Sequence, residues 1–275
     1  MNDPINREKE SHGAHWNAVH EGYFSDPGVA APLVRKVLEA ARASKPGTLV
    51  DLGGGTGFLL SRLRAEGVDP GIRLVDLDDS PAQVAAAETA GISCLLKAVD
   101  AFSRRDIGPE DGRCLFLMRS VLHYFGKDGL RPVLRHLRAQ MRPGEFFVHQ
   151  TASFARQQDA DCLNTLYQLM RTTKWYPGVA FLCDCLREEG WQVLEVCPAA
   201  ALRLRDDDLA QRYQLAPADI RRIRDQLAGT PGIPEDVAIT SAAGFCAFLH
   251  YWTYVCTPAS RYFVSSSTTA MAGKA

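Results

Sequence analysis

The chain has almost no net charge: 31 Lys and Arg against 32 Asp and Glu leave −1 across 275 residues. Without a basic excess there is no electrostatic footprint for nucleic acid or for an anionic membrane surface. No apolar run is long enough to span a bilayer, and residues 1–10 are polar where a secretory signal would place its apolar centre. The eight cysteines, at 94, 114, 162, 183, 185, 197, 246 and 256, are scattered, and the closest pair, Cys183 and Cys185, lacks both zinc spacing and a matching second pair. The expectation is no bound metal, reduced and largely buried thiols, and a cytoplasmic compartment. No internal repeat is visible. A hydrophobic content of 46% with 23% charged residues is the balance of an ordinary globular protein.

Against those absences stands one dense run, Leu49-Val50-Asp51-Leu52-Gly53-Gly54-Gly55-Thr56-Gly57-Phe58-Leu59. An apolar, β-prone lead-in ends in an acid, and a glycine cluster then opens into an amphipathic segment. Glycines allow a sharp turn and leave room for a ligand where a Cβ would clash. Asp78 lies 21 positions after Gly57, close to the roughly 20 expected for an acid that binds a nucleotide ribose at the end of a second strand. Strand, glycine loop, helix and downstream acid together point to a nucleoside-binding α/β domain.

The surrounding pattern agrees. Val29, Leu33, Val37 and Ala41 recur at helical spacing over 27–43, and Lys45-Pro46-Gly47 ends that helix before a strand at 48–52. A helix is expected at 58–66, a strand at 72–77, and an alanine-rich helix from Pro81 to about 90, where proline suits the first turn. Strands follow at 93–99 and 114–118, then a helix at 129–141 and a strand at 145–149. This alternation predicts a doubly wound, Rossmann-like sheet, mostly parallel, with an antiparallel last strand at 245–256. Helices at 156–172 and 179–189, a strand at 192–196 and a helix-prone stretch at 206–228 complete the expectation. Residues 1–264 read as one domain: an N-terminal lid at 1–27, a core at 28–150, and substrate-side helices with the last strands at 151–264. Residues 1–27, 151–190 and 200–240 are expected to form a mainly helical cover, and the Ser/Thr/Ala/Gly-rich tail at 265–275 a flexible end.

With these elements in order, the chain resembles the class I S-adenosylmethionine-dependent methyltransferases. Asp51-Leu52-Gly53-Gly54-Gly55-Thr56-Gly57 fits their acid-x-Gly-x-Gly-x-Gly loop, a form different from the dinucleotide Gly-x-Gly-x-x-Gly. Asp78-Asp79-Ser80-Pro81 resembles their acid followed by Ser-Pro, and Val99-Asp100-Ala101-Phe102 the segment whose acid meets the adenine amino group. Leu117 to Phe125 resembles the stretch that closes over the methionine end, and Met141-Arg142-Pro143-Gly144-Glu145 the turn before strand five. The resemblance covers about 48–150. It implies S-adenosylmethionine as cofactor, with Gly53, Gly55 and Gly57 against it, Asp78 on the ribose diol, Asp100 and Ala101 at the adenine, and Arg119 and Ser120 near the methionine. Asp79 competes with Asp78 for the ribose. Asp51 either supports the loop or contacts the methionine amino group.

Methyl transfer to oxygen also needs a proton removed. His123, just past strand four, matches the base of the plant-type small-molecule O-methyltransferases, although many relatives carry a histidine there with no catalytic role. His149 is the second candidate, or equally a core histidine. The His- and aromatic-rich segment 12–24 reads as a lid, or as a helix packed on the domain. Residues 173–177 and 251–254 offer aromatic walls, or core. The expected partner is a small, partly apolar acceptor, methylated at oxygen or else at carbon or nitrogen, with no nucleic acid and no membrane. Oligomeric state stays open, a homodimer included. The rival readings are a methyltransferase of macromolecules, a non-catalytic cofactor-binding protein and a dehydrogenase.

Overall fold

The computed structural model describes residues 22–108 and 112–259. Helix α1 (Pro27–Ser44) begins where Asp26 Oδ1 accepts from Gly28 N and Val29 N at 2.7 and 3.3 Å, with Pro27 in the first turn. Such a cap contributes about 1 kcal/mol. Then come β1 (Thr48–Leu52), α2 (Phe58–Ala65), β2 (Arg73–Asp78), α3 (Pro81–Thr89), β3 (Ser93–Leu96) and the short α4 (Arg104–Ile107). Next are β4 (Cys114–Arg119), a 3₁₀ turn at Leu122–Phe125, α5 (Gly126–Ala139), β5 (Phe146–Ala152), α6 (Gln157–Leu169) and α7 (Val179–Glu188). The chain continues through β6 (Trp191–Arg205), α8 (Asp206–Tyr213), α9 (Pro217–Gly229), β7 (Ala238–Thr240) and β8 (Phe245–Pro258).

The sheet runs β3-β2-β1-β4-β5-β8-β6, with β7 added along β8. The first five strands are parallel, while β8 pairs antiparallel with β5, β6 and β7. Every residue of β1 and of β4 is buried, as central parallel strands covered on both faces require. On one face Leu130, Val133, Leu134 and Leu137 of α5, with Leu182 and Leu186 of α7, pack on Phe116, Phe147 and Trp191. On the other, Leu33, Val34 and Val37 of α1 and Leu59, Leu60 and Leu63 of α2 cover Leu49 and Leu115. A third cluster joins α6, α8 and α9 to Leu202, Leu204, Phe245 and Tyr251.

The expected fold is present, with three differences. β3 stops at Leu96 instead of 99, because pairing with β2 ends at Asp78↔Leu96. β6 extends to Arg205, since Leu202 to Arg205 pair with Leu249 to Cys246 of β8, so the start of the expected 200–240 helical cover is strand. β7, within that stretch too, is a strand paired with β8. Residues 1–21 of the expected lid and the tail at 265–275 lie outside the described residues.

Strand order reverses at β1: the chain moves outward to β2 and β3 and later returns to β4 on the other side. Ligands of open α/β sheets sit beyond the strand ends at this reversal.

Candidate functional site

A cavity of about 500 Å³ lies at that reversal, within the size range of ligand sites. Its donor end is built from the loop after β1, the end of β2 and the turn after β3: Asp51, Gly53, Gly55, Asp78, Asp79 and Asp100 all line it. Phe24, Arg119, Ser120, Tyr124, Phe125 and Thr173 line the same cavity.

The glycine loop needs its glycines for different reasons. Gly53, Gly55 and Gly57 have φ of +73°, +66° and +73°, in the left-handed region where a Cβ is strained. At Gly53 a Cβ would also fall 2.7 Å from Val121 Cγ2. Gly57, expected at the cofactor, is instead the N-cap of α2 and packs against Ile92, where a Cβ would come within 2.9 Å; it is not on the cavity wall. Gly54 has a third reason, described below, that spacing alone did not reveal.

Asp78 ends β2 with its carboxylate fixed by two backbone donors, Gly55 N at 3.1 Å to Oδ2 and Ser80 N at 2.9 Å to Oδ1. A carboxylate at this position is of the type that can accept from both hydroxyls of a ribose diol. Asp79 and Asp100 are exposed on the rim of the same cavity, whereas Ala101 does not line it. Asp51 is fully buried, and neither of its oxygens has a hydrogen-bond partner. Desolvation, then the charges of Asp76 and Asp78, hold its carboxyl well above the usual carboxylate range, with Arg119 opposing. A buried carboxylate with no donor costs several kcal/mol unless a ligand or a proton meets it.

Arg119, at the end of β4, ties the N-terminal segment to the site. Its Nε donates to Gln150 Oε1 at 2.9 Å, and its terminal nitrogens donate to the carbonyls of Phe24 and Tyr23, both at 3.3 Å. The same guanidinium sits 5.2 Å from the ring centroids of Tyr23 and of Phe24. Tyr23 in turn donates its hydroxyl to Ala200 O at 2.6 Å. Ser120 takes φ +61°, rare for a residue with a side chain, and its hydroxyl lies 2.7 Å from the Tyr251 hydroxyl.

Neither histidine expected as a base lines the cavity. His123 is buried, its ring 4.3 Å from that of Tyr124 and 5.3 Å from that of Tyr176, so one aromatic ring separates it from the wall. His149 lies inside the sheet, stacked on Tyr254 at 4.7 Å and Phe147 at 4.5 Å, with Nδ1 2.7 Å from Thr151 Oγ1. Burial pushes its pKa down to about 3, which fits a neutral ring packed in the core. Of the aromatic segments, Thr173 reaches the wall, while Trp175 and Tyr176 pack behind it, and Tyr251 meets the site through Ser120.

Spacing along the chain does not single out Asp76 or Gly54. Asp76 sits mid-strand between Val75 and Leu77, fully buried, and accepts from Gly54 N at 3.1 Å. An acid within an otherwise apolar central strand was the available signal. Among the described residues no group of three or more His, Cys, Asp or Glu side chains is placed to hold a metal, and no helix is long and apolar enough to cross a membrane.

The residues at the donor end fit S-adenosylmethionine: a carboxylate at the end of β2 for the ribose, acids on the rim, and an unpartnered carboxylate on the wall for a cationic group. Comparison with solved structures finds the same fold at low identity. The YcgJ protein of Bacillus subtilis is 10% identical with TM-score 0.65, covering 84% of this chain and 99% of its own. A 1,6-didemethyltoxoflavin-N1-methyltransferase of Burkholderia thailandensis, solved with 1,6-didemethyltoxoflavin and S-adenosylhomocysteine, is 14% identical with TM-score 0.53, covering 94% and 92%. Human N-acetylserotonin methyltransferase in complex with SAM is 15% identical with TM-score 0.50, covering 92% of this chain and 62% of its own. No curated protein sequence matches the chain. A methyltransferase-domain family, however, matches residues 27–196, which include the glycine loop, the acids after β2 and β3, and the end of β4. The chain therefore belongs to that family and is an S-adenosylmethionine-dependent methyltransferase of class I.

Proposed function

We propose that the protein methylates a small, partly apolar metabolite at oxygen. The observation that carries this reading is the lining of the cavity: the carboxylates of Asp51, Asp78, Asp79 and Asp100 share it with the aromatic rings of Phe24, Tyr124 and Phe125. Those aromatic faces suit a planar or apolar acceptor. Two of the similar structures are described by small acceptors, one of them methylated at nitrogen, which supports the size class without fixing the atom.

The bound cofactor supplies an electrophilic methyl group on a sulfonium. The chain's own task is alignment: Asp78 on the ribose, Asp51 at the methionyl end, and Phe24 with Tyr124 holding the acceptor in line. Such positioning can supply about 7–11 kcal/mol of barrier lowering in well-oriented cases. Transfer to a neutral hydroxyl leaves a proton to remove. His123, the base that the resemblance implies, lies behind the wall residue Tyr124 and not on the cavity itself, so its part in that step is decided by substitution.

The test is thermal unfolding and calorimetry of the full chain with S-adenosylmethionine, S-adenosylhomocysteine and NAD, beside Asp78→Ala, followed by S-adenosylhomocysteine release from panels of hydroxylated, aminated and carbon-acidic small molecules. Turnover of hydroxylated compounds supports the reading. Turnover confined to amines or carbon acids moves the acceptor atom, and cofactor binding with no turnover on any panel favours a non-catalytic binding protein.

A further inference from the structure

Asp51 and Asp76 face each other in the β1–β2 register, side by side on neighbouring strands beneath the glycine loop, and both are fully buried. Gly54 lies directly over the pair. A Cβ there would fall 2.4 Å from Asp76 Oδ1 and 2.8 Å from Asp51 Oδ2, so both carboxylates crowd one point. Gly54 N donates to Asp76 Oδ1, the Leu77 N–H and the Cys94 thiol also face the Asp76 carboxylate, and both oxygens of Asp51 have no hydrogen-bond partner. Asp51 lines the cavity and Asp76 stands behind it.

The charged and titratable neighbours come from three elements: Asp78 at the end of β2, Cys94 on β3 and Arg119 at the end of β4. Arg119 is the cation of this set, and its nitrogens already donate to Gln150, Tyr23 and Phe24. Two carboxylates so close, desolvated and short of donors, cannot both stay ionised; one proton between them removes the repulsion and supplies the missing donor. Burial and the charge of Asp78 push Asp76 up to about 7, and Asp51 is pushed up as well.

We propose that Asp51 and Asp76 hold one shared proton in the cofactor-free protein, and that the cationic methionyl end of the cofactor displaces it, so that cofactor uptake releases a proton. This rests on reading the cavity as the cofactor site. The balance is simple: the carboxyl O–H bond breaks, the proton passes to solvent, and the cofactor's ammonium becomes the counter-charge of two carboxylates. No bond to the cofactor forms or breaks. Asp51 makes the contact, whereas Asp76 is a positioning residue that acts through Asp51 and through the Gly54 N–H.

Titration calorimetry of the ligand-stripped full chain tests this at pH 6.5, below the range of about 7.7–8.0 where an α-amino group loses its own proton. S-adenosylmethionine is titrated in phosphate and in imidazole buffers, whose ionisation heats differ, and the dependence of the observed heat on buffer counts protons. The expected result is release of about one proton in the wild type, with affinity falling roughly tenfold per pH unit on the acid side of the shared titration. Asp76→Asn keeps an oxygen for Gly54 N, removes the neighbouring charge and cannot share a proton, so its release should fall clearly below that of the wild type and its affinity should depend less on pH. Heats independent of buffer between pH 6 and 8, or unchanged release in Asp76→Asn, overturn the proposal. If that variant does not fold, the wild-type buffer series decides alone. Failure of S-adenosylmethionine to bind at any pH removes the cofactor assignment along with it, whereas binding without proton release removes only the shared proton.

Discussion

The hydroxyls of Ser120 and Tyr251 are hydrogen-bonded at 2.7 Å across the sheet, joining the turn after β4 to the strand β8 that closes the fold. Both residues are buried, and Ser120 holds a left-handed backbone conformation at the rim of the cofactor cavity. Tyr251→Phe removes one partner and leaves the Ser120 hydroxyl to find another. A buried neutral hydrogen bond is worth about 0.5–1.5 kcal/mol, so urea unfolding should show a loss of that size.

Glu145 should prove far more costly to alter. Fully buried at the start of β5, it accepts from Arg104 through both oxygens, from Cys114 N at 2.7 Å and from Arg142 N at 2.8 Å. Glu145→Gln removes the charge opposite Arg104 and turns one acceptor into a donor facing donors. Breaking one side of a buried pair costs about 3–5 kcal/mol, and denaturant midpoints would reveal it. A loss below 1 kcal/mol would show that water enters this site freely.

His149 gives a signed pH effect. Its folded pKa is lowered to about 3 by burial, against about 6.5 when unfolded. Between those values the unfolded chain binds the proton and the folded chain does not, so stability falls as pH drops from 6.5 toward 3, by up to about 1.36 kcal/mol per unit. The raised carboxyls of Asp51 and Asp76 work in the opposite sense, binding protons in the folded state and adding stability as pH falls from about 7 toward 4. The informative quantity is the difference between wild type and His149→Phe: the variant should lack the histidine's acid penalty and gain relative stability below pH 6. Parallel stability curves would mean that the ring is protonated in the fold.

For His123 the prediction is kinetic. If it removes the acceptor proton, His123→Asn should lower kcat by about 10²–10⁴-fold on a hydroxylated acceptor, with the affinity for S-adenosylmethionine unchanged. Equal kcat in the variant would place the histidine in the aromatic packing with Tyr124 and Tyr176 alone.

Arg119→Lys separates charge from geometry, because an ammonium cannot reach Gln150, Tyr23 O and Phe24 O together as the planar fork does. Amide exchange over 22–30 should accelerate in the variant. No change there would mean that Tyr23 is held by its bond to Ala200 and its packing on Tyr251 without the arginine.

The parallel half of the fold was legible because its signals are local. β1 is an unbroken β-prone run ending at a glycine loop, α1 shows apolar residues every turn, and Asp78 stands at the distance a ribose acid requires. The antiparallel half was read less well, because partners distant in sequence decide it. The Ala199–Arg205 part of β6 and the three residues of β7 take their conformation from β8. The same holds at the site. Gly57 looked like a cofactor contact because a glycine pattern does not separate a need for φ from a need for space. His123 carries the right position in the chain, but whether its ring reaches the wall depends on Tyr124 and Tyr176, which pack around it. Asp76 carries no local signal of its role, because its meaning lies in Asp51, a partner on the next strand.

The cavity is also assembled from separate stretches of the chain. Many of its lining residues fall between 51 and 100, whereas others are gathered from position 24, positions 119–125 and position 173. On the proposed reading, a change of acceptor is open to a handful of separate substitutions outside the stretch from Asp51 to Asp100. Redesign of this protein toward new acceptors has a natural order: vary Phe24, Tyr124, Phe125 and Thr173 first, and keep the stretch from Asp51 to Asp100 as a fixed cartridge.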